Sequence, residues 1–455
     1  MKKNEEYITS IIDNGFQGEG IAKIDDITVF VPNCIKGEKV KLKILKEKNN
    51  IAYGKVIEVI ERSENRVDGS IDCETFFKCG GCTLRHMKYD YTIEMKKNAV
   101  QTTLRKALNK DIIVDEVIKM DNPFNYRNKL QYPIGIDKNG NYKMGVYTSR
   151  THDIVETQNC FIQNELIQKI ANDIFAFIKQ ERIVVYNEKD NTGGIRHLII
   201  RIGKKTNEVL VTIVTNTEKI GKEKELVSYI TNKYSEIKTI VKNVNNKNTN
   251  VILGNKNIVL YGNGYIYDYI GEFKFKISAM SFYQVNPVQT EKLYAKAIEY
   301  ADLSGDEIVF DLYCGIGTIG ICASKKIKKL YGIETISEAI EDAKENARLN
   351  NINNADFFVG DVEKILPEFI MQNNIKPDVV FLDPPREGCD KKALDTLLQI
   401  KPKKIVYISC NPATLARDLK LLSEKYKIEK LAICDMFPYT SHVECVTVLY
   451  AKETL

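Results

Sequence analysis

The chain has 455 residues, of which 44% are apolar and 28% charged, so it is long enough for two or three domains and has the composition of a soluble globular protein. Without an apolar run long enough to span a bilayer and without a signal peptide, the sequence leads us to expect a cytoplasmic protein with no membrane partner. Eleven cysteines in such a chain favour metal or catalytic roles over disulfides.

The net charge is only +5, but the basic residues are unevenly distributed. The segment from Lys78 to Arg150 contains 14 Lys or Arg against 7 Asp or Glu. A local basic excess is typical of a polyanion-binding surface. A solvated basic face without any partner explains the charge alone equally well.

Residues 7–62 consist of short apolar–polar alternations separated by Gly and Asn or Asp. This pattern predicts a small antiparallel barrel of about five strands, OB-like in type. Small barrels of this kind commonly bind nucleic acid. We therefore divide the chain into a barrel domain over 1–62, a central domain over 63–275 and a C-terminal domain over 276–455.

The central domain begins with Cys73, Cys79 and Cys82, the last two separated by a Gly-Gly pair. Glycines allow the backbone to fold tightly around a metal. Cys160 is the candidate fourth ligand, since the next cysteine is Cys314. Four thiolates suit both zinc and an iron–sulfur cluster, and the spacing alone does not separate the two or exclude unmetallated cysteines.

Residues 91–108 have the periodicity of a basic helix. The segment from Phe124 to Lys129 sets two aromatic rings beside two cations, a combination that can stack on a base and bind a phosphate, although it also fits a surface loop before a strand over 129–136. Residues 144–270 predict further mixed α/β structure. The Asn- and Lys-rich stretch 243–250 predicts a surface loop.

From Ile308 onwards the sequence alternates strands and helices, which predicts a mostly parallel, doubly wound sheet. Gly315, Gly317 and Gly320 form a glycine-rich turn after the first strand, and Glu334 ends the second. This pattern suits an adenosine, whether of NAD or of S-adenosylmethionine. The acidic Asp383-Pro-Pro turn after a later strand favours S-adenosylmethionine, because such a turn lines the methyl-transfer site of methyltransferases.

The run Ile405–Ile408 predicts a buried strand that ends in Ser409-Cys410-Asn-Pro. A helix is expected from Ala413. Cys410 would then lie at the carboxyl end of a strand, where open α/β sheets bind ligands. Its thiol is a candidate nucleophile there, although a lone cysteine is more often a small buried apolar residue.

Two sets of motifs resemble known families. The segments Gly15–Gly20 and Val31–Val40 resemble a TRAM domain, an OB-like barrel attached to RNA-modifying enzymes. Five further segments occur in the order found in RNA 5-methyluridine methyltransferases: Ser281–Asn286, Asp311–Gly317, Asp383–Arg386, Ser409–Pro412 and His442–Glu444. The cysteine pattern resembles the [4Fe–4S] site of the subgroup that modifies 23S rRNA.

The resemblance implies a multidomain α/β protein with a TRAM barrel, a central mixed α/β domain with a [4Fe–4S] site and a Rossmann-like class I methyltransferase domain. It implies a monomer that methylates 23S rRNA with S-adenosyl-L-methionine. Cys410 is implied as the nucleophile and Glu444 as the base. Cluster ligands would be Cys73, Cys79, Cys82 and Cys160. Cofactor-binding residues would be Gln284, Tyr313, Thr318, Glu334, Asp361 and Asp383.

The reaction explains why a thiol and a carboxylate are needed. Carbon 5 of uracil is a poor nucleophile until a thiolate adds to carbon 6, and a base must later remove the carbon 5 proton. Two alternatives stay open at this point. One is a tRNA 5-methyluridine methyltransferase, and the other is an RNA-binding assembly factor with a degenerate enzyme domain, against which the presence of both Cys410 and Glu444 argues.

Overall fold

A computed structural model describes residues 1–69, 73–148 and 151–453 of the chain. Arg150, where the predicted basic segment ends, lies outside these ranges. Within them, the helices do not combine the length and the apolar character needed to cross a bilayer.

The N-terminal strands close a barrel with the order β1-β2-β3-β5-β4. Inward-facing side chains such as Ile11, Val29 and Leu42 are almost completely buried in it. The alternation of the sequence therefore gives the predicted small barrel. Its strands are β1 (Glu6–Asn14), β2 (Gly20–Ile24), β3 (Ile27–Val31), β4 (Lys39–Lys48) and β5 (Ile51–Glu61).

The central region begins with helix α1 and a short strand, β6, and continues into a mixed sheet covered by helices α2 and α3. The sheet has the order β13-β12-β11-β10-β7-β8-β9. Strand β7 has the predicted bounds. The elements are α1 (Tyr89–Leu108), β6 (Glu116–Ile118), β7 (Lys129–Ile136), β8 (Tyr142–Tyr147), β9 (Ile154–Glu156), α2 (Glu165–Gln180), β10 (Ile195–Ile202), β11 (Val209–Thr215), α3 (Glu223–Lys233), β12 (Ile237–Val244) and β13 (Lys256–Tyr261).

The predicted surface loop 243–250 is wrong at its start. Asn243 lies in β12 and Asn245 follows it, and both are buried. The Asn243 amide donates to the carbonyl of Gly254 at 2.9 Å and its oxygen accepts from the Gly254 N–H at 2.7 Å. The buried Asn243 side chain is tolerated because it forms hydrogen bonds with the backbone N–H and carbonyl of Gly254.

The C-terminal region forms a sheet with the order β18-β17-β16-β19-β20-β22-β21-β6. Strands β16 to β20 are parallel, and β21 and β22 form an antiparallel hairpin. A hairpin of β14 and β15 precedes it. The elements are β14 (Tyr265–Ile270), β15 (Phe273–Ser278), α4 (Pro287–Ala301), β16 (Ile308–Leu312), α5 (Thr318–Ala323), β17 (Lys329–Glu334), α6 (Ser337–Leu349), β18 (Ala355–Val359), α7 (Val362–Asn373), β19 (Val379–Leu382), α8 (Lys391–Ile400), β20 (Lys404–Ser409), α9 (Pro412–Leu422), β21 (Tyr426–Cys434) and β22 (Glu444–Ala451).

Two elements from earlier in the chain belong to this last sheet and its core. Strand β6 pairs in parallel with β21, Ile118 being opposite Cys434. Val100 and Leu104 of α1 lie in the same hydrophobic cluster as Tyr407 of β20. The C-terminal sheet thus includes residues from before the predicted boundary at residue 276, and the domain limits themselves stay a prediction.

Candidate active site

Cys410 lies in a short turn between β20 and α9, at the carboxyl end of the strand as predicted. The strand before it is buried, and the turn is fixed by the helix cap, since Asn411 Oδ1 accepts from the Ala413 N–H at 3.0 Å. Pro412 occupies the first turn of α9, where it needs no backbone N–H. The thiol is partly exposed at this edge of the sheet.

Glu444 is the first residue of β22, the antiparallel neighbour of β20. The last pair of the β20–β22 ladder is Ser409 with Cys445, so Cys410 and Glu444 are the residues next to this pair on the two chains. The Glu444 carboxyl is near enough to the Cys410 thiol to raise its pKa. Glu444 itself is only 5% exposed.

Asp383 follows β19, which pairs with β20 on its other side with Leu382 opposite Tyr407. Its turn is attached to the turn of Cys410 through the carbonyl of Arg386. That carbonyl accepts from Asn411 Nδ2 at 3.1 Å and from Thr414 Oγ1 at 3.2 Å. Three neighbouring strands thus bring a thiol and two carboxyls to one edge of the sheet.

Burial raises the pKa of each acid at this edge, and neighbouring charges modify the pKa of two of them. Burial raises the pKa of the Cys410 thiol to about 11, and Glu444 and Asp383 add to the effect. Burial and then Asp383 raise the pKa of Glu444 to about 8, and burial raises that of Asp383 to about 7. Arg386 acts in the opposite direction on both Cys410 and Glu444. Its position in the acidic turn was visible in the sequence, but its electrostatic effect was not.

Next to this edge, the glycine-rich turn after β16 meets the end of β17. The two carboxylate oxygens of Glu334 accept from the N–H groups of Gly315 at 3.1 Å and Ile336 at 3.0 Å. Gly315 has a φ of 55°, and a Cβ built there would point into open space. This turn is therefore open on one side and anchored by an acid on the other.

Of the remaining predicted cofactor residues, Tyr313 and Thr318 flank the same turn and Asp361 follows β18, the neighbour of β17. Tyr313 has a φ of 65° directly after β16. The Thr318 hydroxyl lies 3.2 Å from the Tyr294 hydroxyl, and Asp361 Oδ1 accepts from Thr335 Oγ1 at 3.2 Å. Gln284 precedes α4, and its carbonyl accepts from the side chain of Asn128 at 3.1 Å.

Asp311 is a site residue that the sequence reasoning did not single out. Its Oδ2 accepts from the Gly320 N–H at 2.8 Å, which fixes the glycine-rich turn, and its other oxygen has no hydrogen-bond partner among the described residues. Burial raises its pKa to about 7. An acidic residue near the end of the strand that precedes the glycine-rich turn is the feature of the sequence that could have identified Asp311.

All four predicted metal-binding cysteines line one cavity of about 300 Å³. Three cations line it as well: Arg85, Arg127 and Lys129. Burial raises the pKa of the Cys82 thiol to about 12 and also that of Cys79 and Cys160. Among the described residues there is no group of three or more His, Cys, Asp or Glu side chains arranged to hold a metal ion, so the predicted [4Fe–4S] site is not shown.

The aromatic and basic segment 124–129 lies between this cavity and a second one of about 270 Å³. Arg127 lines both cavities, whereas Phe124 and Lys204 line the second. The Phe124 ring is 5.2 Å from the Arg85 guanidinium and is about one-third exposed. Tyr126, in contrast, is 5% exposed and donates to the Pro438 carbonyl, so Phe124 is the exposed ring of the predicted pair.

Comparison with known proteins settles the family. A sequence profile described as tRNA (Uracil-5-)-methyltransferase matches residues 88–452. The chain belongs to this family of RNA uracil-5-methyltransferases. The profile of the TRAM domain matches residues 4–57, so the barrel is a TRAM domain.

Relatives within the family match over almost the whole chain. A protein of Clostridium acetobutylicum described as an uncharacterized RNA methyltransferase is 48% identical over 453 residues, covering 99% of this chain and 98% of the relative. One of Clostridium tetani with the same description is 46% identical over 450 residues, covering 99% and 97%. The predicted resemblance is therefore confirmed at the level of an S-adenosylmethionine-dependent RNA methyltransferase.

A solved structure has the same architecture. The tRNA (uracil-54, C5)-methyltransferase of Pyrococcus abyssi in complex with S-adenosyl-L-homocysteine aligns with a TM-score of 0.77 and 27% identity, covering 98% of this chain and 100% of that one. The methyltransferase fold of the C-terminal region and the attached barrel are thereby confirmed.

Proposed function

We propose that the protein forms 5-methyluridine in 23S rRNA, with Cys410 as the nucleophile and Glu444 as the base. The observation that supports this proposal is the proximity of the two groups: Cys410 and Glu444 adjoin the last pair of the β20–β22 ladder, and the carboxyl raises the pKa of the thiol. A uracil ring bound between them would meet both groups. Asp383 at the adjacent strand end would line the same cleft.

In the proposed reaction, the Cys410 thiolate adds to carbon 6 of uracil and the displaced electrons form an enolate, which makes carbon 5 nucleophilic. S-adenosylmethionine, when bound, supplies the methyl group. Glu444 then takes the proton from carbon 5. The electrons of that bond restore the double bond between carbons 5 and 6 while the bond to Cys410 Sγ breaks, which returns the thiolate.

We assign cofactor binding to Gln284, Tyr313, Thr318, Glu334, Asp361 and Asp383. The open space over Gly315 fits a bound adenosine, since it leaves room where a side chain would stand. Glu334 at the end of β17 is the acid positioned for ribose hydroxyls. Asp383 lies between this turn and Cys410 and is suited to orient both substrates.

The acids of the cleft also suggest how the nucleophile is protected. With a pKa raised to about 11 by burial and two carboxyls, Cys410 stays protonated at neutral pH in the RNA-free protein. A protonated thiol reacts slowly with oxidants and alkylating agents. Ionisation then requires a change that comes with the substrate, and Arg386 is the cation already present to favour it.

Turnover through a covalent adduct is tested with Glu444→Gln, which keeps the shape of the side chain and removes the basicity. Addition and methyl transfer precede proton abstraction, so this variant should accumulate an adduct of Cys410 with methylated RNA. The adduct should survive denaturing gel electrophoresis and carry label from the cofactor methyl group. Turnover near the wild-type rate would show that another group is the base.

Cys410→Ala provides the matched control. It should abolish turnover and prevent the adduct in combination with Glu444→Gln, while S-adenosylmethionine binding stays near normal, because the thiol acts on RNA. The same variant distinguishes an enzyme from a non-catalytic assembly factor. An enzyme would lose its methylation activity in Cys410→Ala, whereas the RNA binding of an assembly factor would not depend on the thiol. Substantial methylation by Cys410→Ala would exclude covalent catalysis through this residue.

The cavity lined by Cys73, Cys79, Cys82 and Cys160 is proposed to hold a [4Fe–4S] cluster. The guanidinium groups of Arg85 and Arg127, which line the cavity, would offset the negative charge of a thiolate-ligated cluster. The buried Nε and Nη1 of Arg85 and the hydroxyl of Tyr132 lack hydrogen-bond partners among the described residues, and sulfur acceptors in the cavity would satisfy them. Four thiolates leave no open coordination position, so we propose a structural role.

Purification without oxygen tests the cluster. The protein should be brown, with broad visible absorption that bleaches in air. Cys82→Ser should lose this colour, whereas Cys34→Ser, which changes a cysteine buried in the barrel, should keep it. A colourless protein with stoichiometric zinc would contradict the assignment.

The choice of 23S rRNA rests on the cysteine pattern of this chain, which resembles that of the iron–sulfur-containing subgroup that modifies 23S rRNA. A tRNA substrate is the second candidate, because the structurally similar Pyrococcus abyssi protein is a tRNA (uracil-54, C5)-methyltransferase. Mapping of 5-methyluridine in rRNA and tRNA from cells lacking the protein distinguishes the two. We further propose that the protein acts in the cytoplasm as a monomer, which size-exclusion chromatography with light scattering would check.

A further inference from the structure

The connection between β21 and β22, residues 435–443, is here named the Glu444 loop because it ends at the proposed base. It is unusually buried for a nine-residue connection: Asp435 is 2%, Met436 0% and Tyr439 7% exposed. Loops normally stay at the surface because their backbone groups need water. The backbone of this loop must find its partners inside the protein.

Five successive carbonyls of the loop accept hydrogen bonds from distant parts of the chain. The donors come from α4 and the residue before it, from α1, and from the segments around residues 83 and 126. They are Gln289 Nε2 to Asp435 at 3.3 Å, Asn286 Nδ2 to Met436 at 3.0 Å, Lys96 Nζ to Phe437 at 3.1 Å, Tyr126 Oη to Pro438 at 3.2 Å, and the N–H groups of Thr83 and Leu84 to Tyr439, both at 3.0 Å.

Tyr439 is the most constrained residue of the loop. Its φ of 62° lies in the left-handed region, which is costly for a bulky side chain. Such a conformation persists where the surroundings over-determine it. Here the carbonyl receives two N–H groups and the ring packs against Phe124, with centroids 5.5 Å apart, and against Tyr89 at 5.8 Å.

Arg85 connects this residue to the segments that carry the cysteines. Its guanidinium carbon is 5.4 Å from the Tyr439 ring centroid and 4.5 Å from that of Phe161, and the residue is 8% exposed. Arg85 follows Cys82 by three residues, and Phe161 directly follows Cys160. A chain of contacts therefore runs from the cysteine cavity through Arg85 and Tyr439 into the Glu444 loop.

We propose that Arg85 and Tyr439 are positioning residues that hold Glu444 in place for proton abstraction from carbon 5. The proposal rests on the proposed role of Glu444 as the base. Cys410 is held by a different set of contacts, in the turn fixed by Asn411 and the carbonyl of Arg386. Loosening the Glu444 loop should thus displace the base while leaving the nucleophile in position.

This separation predicts which half of the reaction suffers. The carbon 6 to sulfur bond and the methyl–carbon 5 bond form before Glu444 acts. Proton transfer to the carboxylate and cleavage of the carbon–sulfur bond come afterwards. We call Arg85 and Tyr439 together the clamp. A displacement of about 1 Å can slow a reaction step by about a hundredfold. Clamp variants should therefore slow elimination by about tenfold to a hundredfold and adduct formation less than about threefold.

The experiment measures both steps in single turnovers with methyl-labelled cofactor and whichever transcript, 23S rRNA or tRNA, the wild-type protein methylates. Arg85→Met and Tyr439→Leu should accumulate the labelled protein–RNA adduct on denaturing gels. Arg85→Lys and Tyr439→Phe, which keep the cation or the ring, should accumulate less. Phe161→Leu, which removes the ring on which the Arg85 guanidinium stacks, should also raise the ratio of adduct to product.

Arg196→Met is the matched control. Arg196 is also buried, at 5% exposure, and stacks on the Tyr186 ring at 4.2 Å, but it lies in the central sheet. It should not change the ratio of adduct to product. Circular dichroism and cofactor affinity would identify variants that have lost their structure in general. Among the folded variants, more adduct in Arg85→Met than in Arg85→Lys would show that the cation of Arg85 is needed for elimination.

The outcomes separate this inference from the proposed function. If Glu444→Gln traps the adduct and Arg85→Met forms and resolves it at wild-type rates, or slows both steps equally, the clamp is refuted and Glu444 remains the base. If Glu444→Gln turns over normally, the proposed function loses its final step. Accumulation of adduct in Arg85→Met and Tyr439→Leu but not in Arg196→Met supports the clamp.

Discussion

The buried ion pair at the start of the Glu444 loop should contribute strongly to stability. Lys96 Nζ lies 2.5 Å from Asp435 Oδ1, and both side chains are 2% exposed. Burial lowers the pKa of Lys96, and the facing carboxylate opposes this by raising it. Lys96→Met would remove the ammonium and leave Asp435 with one strong donor, the Tyr89 hydroxyl at 2.8 Å from its other oxygen.

The magnitude follows from these contacts. Breaking a buried pair by removing one partner costs about 3–5 kcal/mol, because a charge stays buried without compensation. The Phe437 carbonyl also loses its bond to Lys96, but it keeps the N–H of Thr440 at 3.2 Å and its hydroxyl at 2.8 Å, so this adds little. At roughly 2–4 °C per kcal/mol for a domain of 150–250 residues, the Tm should fall by roughly 6–20 °C.

A double-mutant cycle in guanidinium, followed by circular dichroism, measures the pair. Lys96→Met together with Asp435→Asn leaves no buried charge, so the double variant should be more stable than Lys96→Met alone. Lys119→Met is the control, because its pair with Asp90 at 2.8 Å is exposed to solvent and should contribute little to stability. Equal losses for Lys96→Met and Lys119→Met, or additive losses in the double variant, would refute the reasoning.

Three further predictions concern the site. Burial raises the pKa of Glu444 to about 8 and that of Cys410 to about 11, so the fractions present as reactive carboxylate and thiolate increase with pH. We therefore expect kcat/KM to rise from pH 6.5 to 8.5, and a falling profile would contradict this. Glu334→Ala should weaken S-adenosylmethionine binding about tenfold or more by calorimetry, with RNA affinity unchanged. Gly332→Ala should lower stability by about 1–3 kcal/mol in thermal melts, because its Cβ would come within 2.4 Å of Phe357; an unchanged Tm would show that the ring moves aside.

Regular elements with strong periodicity were predicted closely. The buried run Ile405–Ile408 lies inside β20, which spans Lys404–Ser409, and β7 has the expected bounds. These segments are recognisable because local pattern and burial agree over several residues. Strand β6, in contrast, has three residues and pairs with β21, more than 300 residues later in the sequence. Nothing in the sequence around Glu116–Ile118 indicates that partner.

The sequence led us to pair Cys410 with Glu444 through the family resemblance, without any strand pairing. Their proximity in the structure depends on the pairing of β22 with β20, in which Ser409 is opposite Cys445. A shift of one residue would turn the carboxyl to the opposite face, so the site depends on that register.

The burial of the Glu444 loop could not be predicted either, and its cause is the way distant segments meet there. The stretch after Cys434 reads as a polar bend, yet its carbonyls are satisfied by side chains and amides between residues 83 and 289. Each donor is ordinary in its own sequence context. Because Glu444 directly follows this loop, the proposed base is connected by hydrogen bonds of the loop to the segment around residue 83, to α1 and to the start of α4. If the clamp variants slow elimination as proposed, contacts made by the central region affect a step of the reaction.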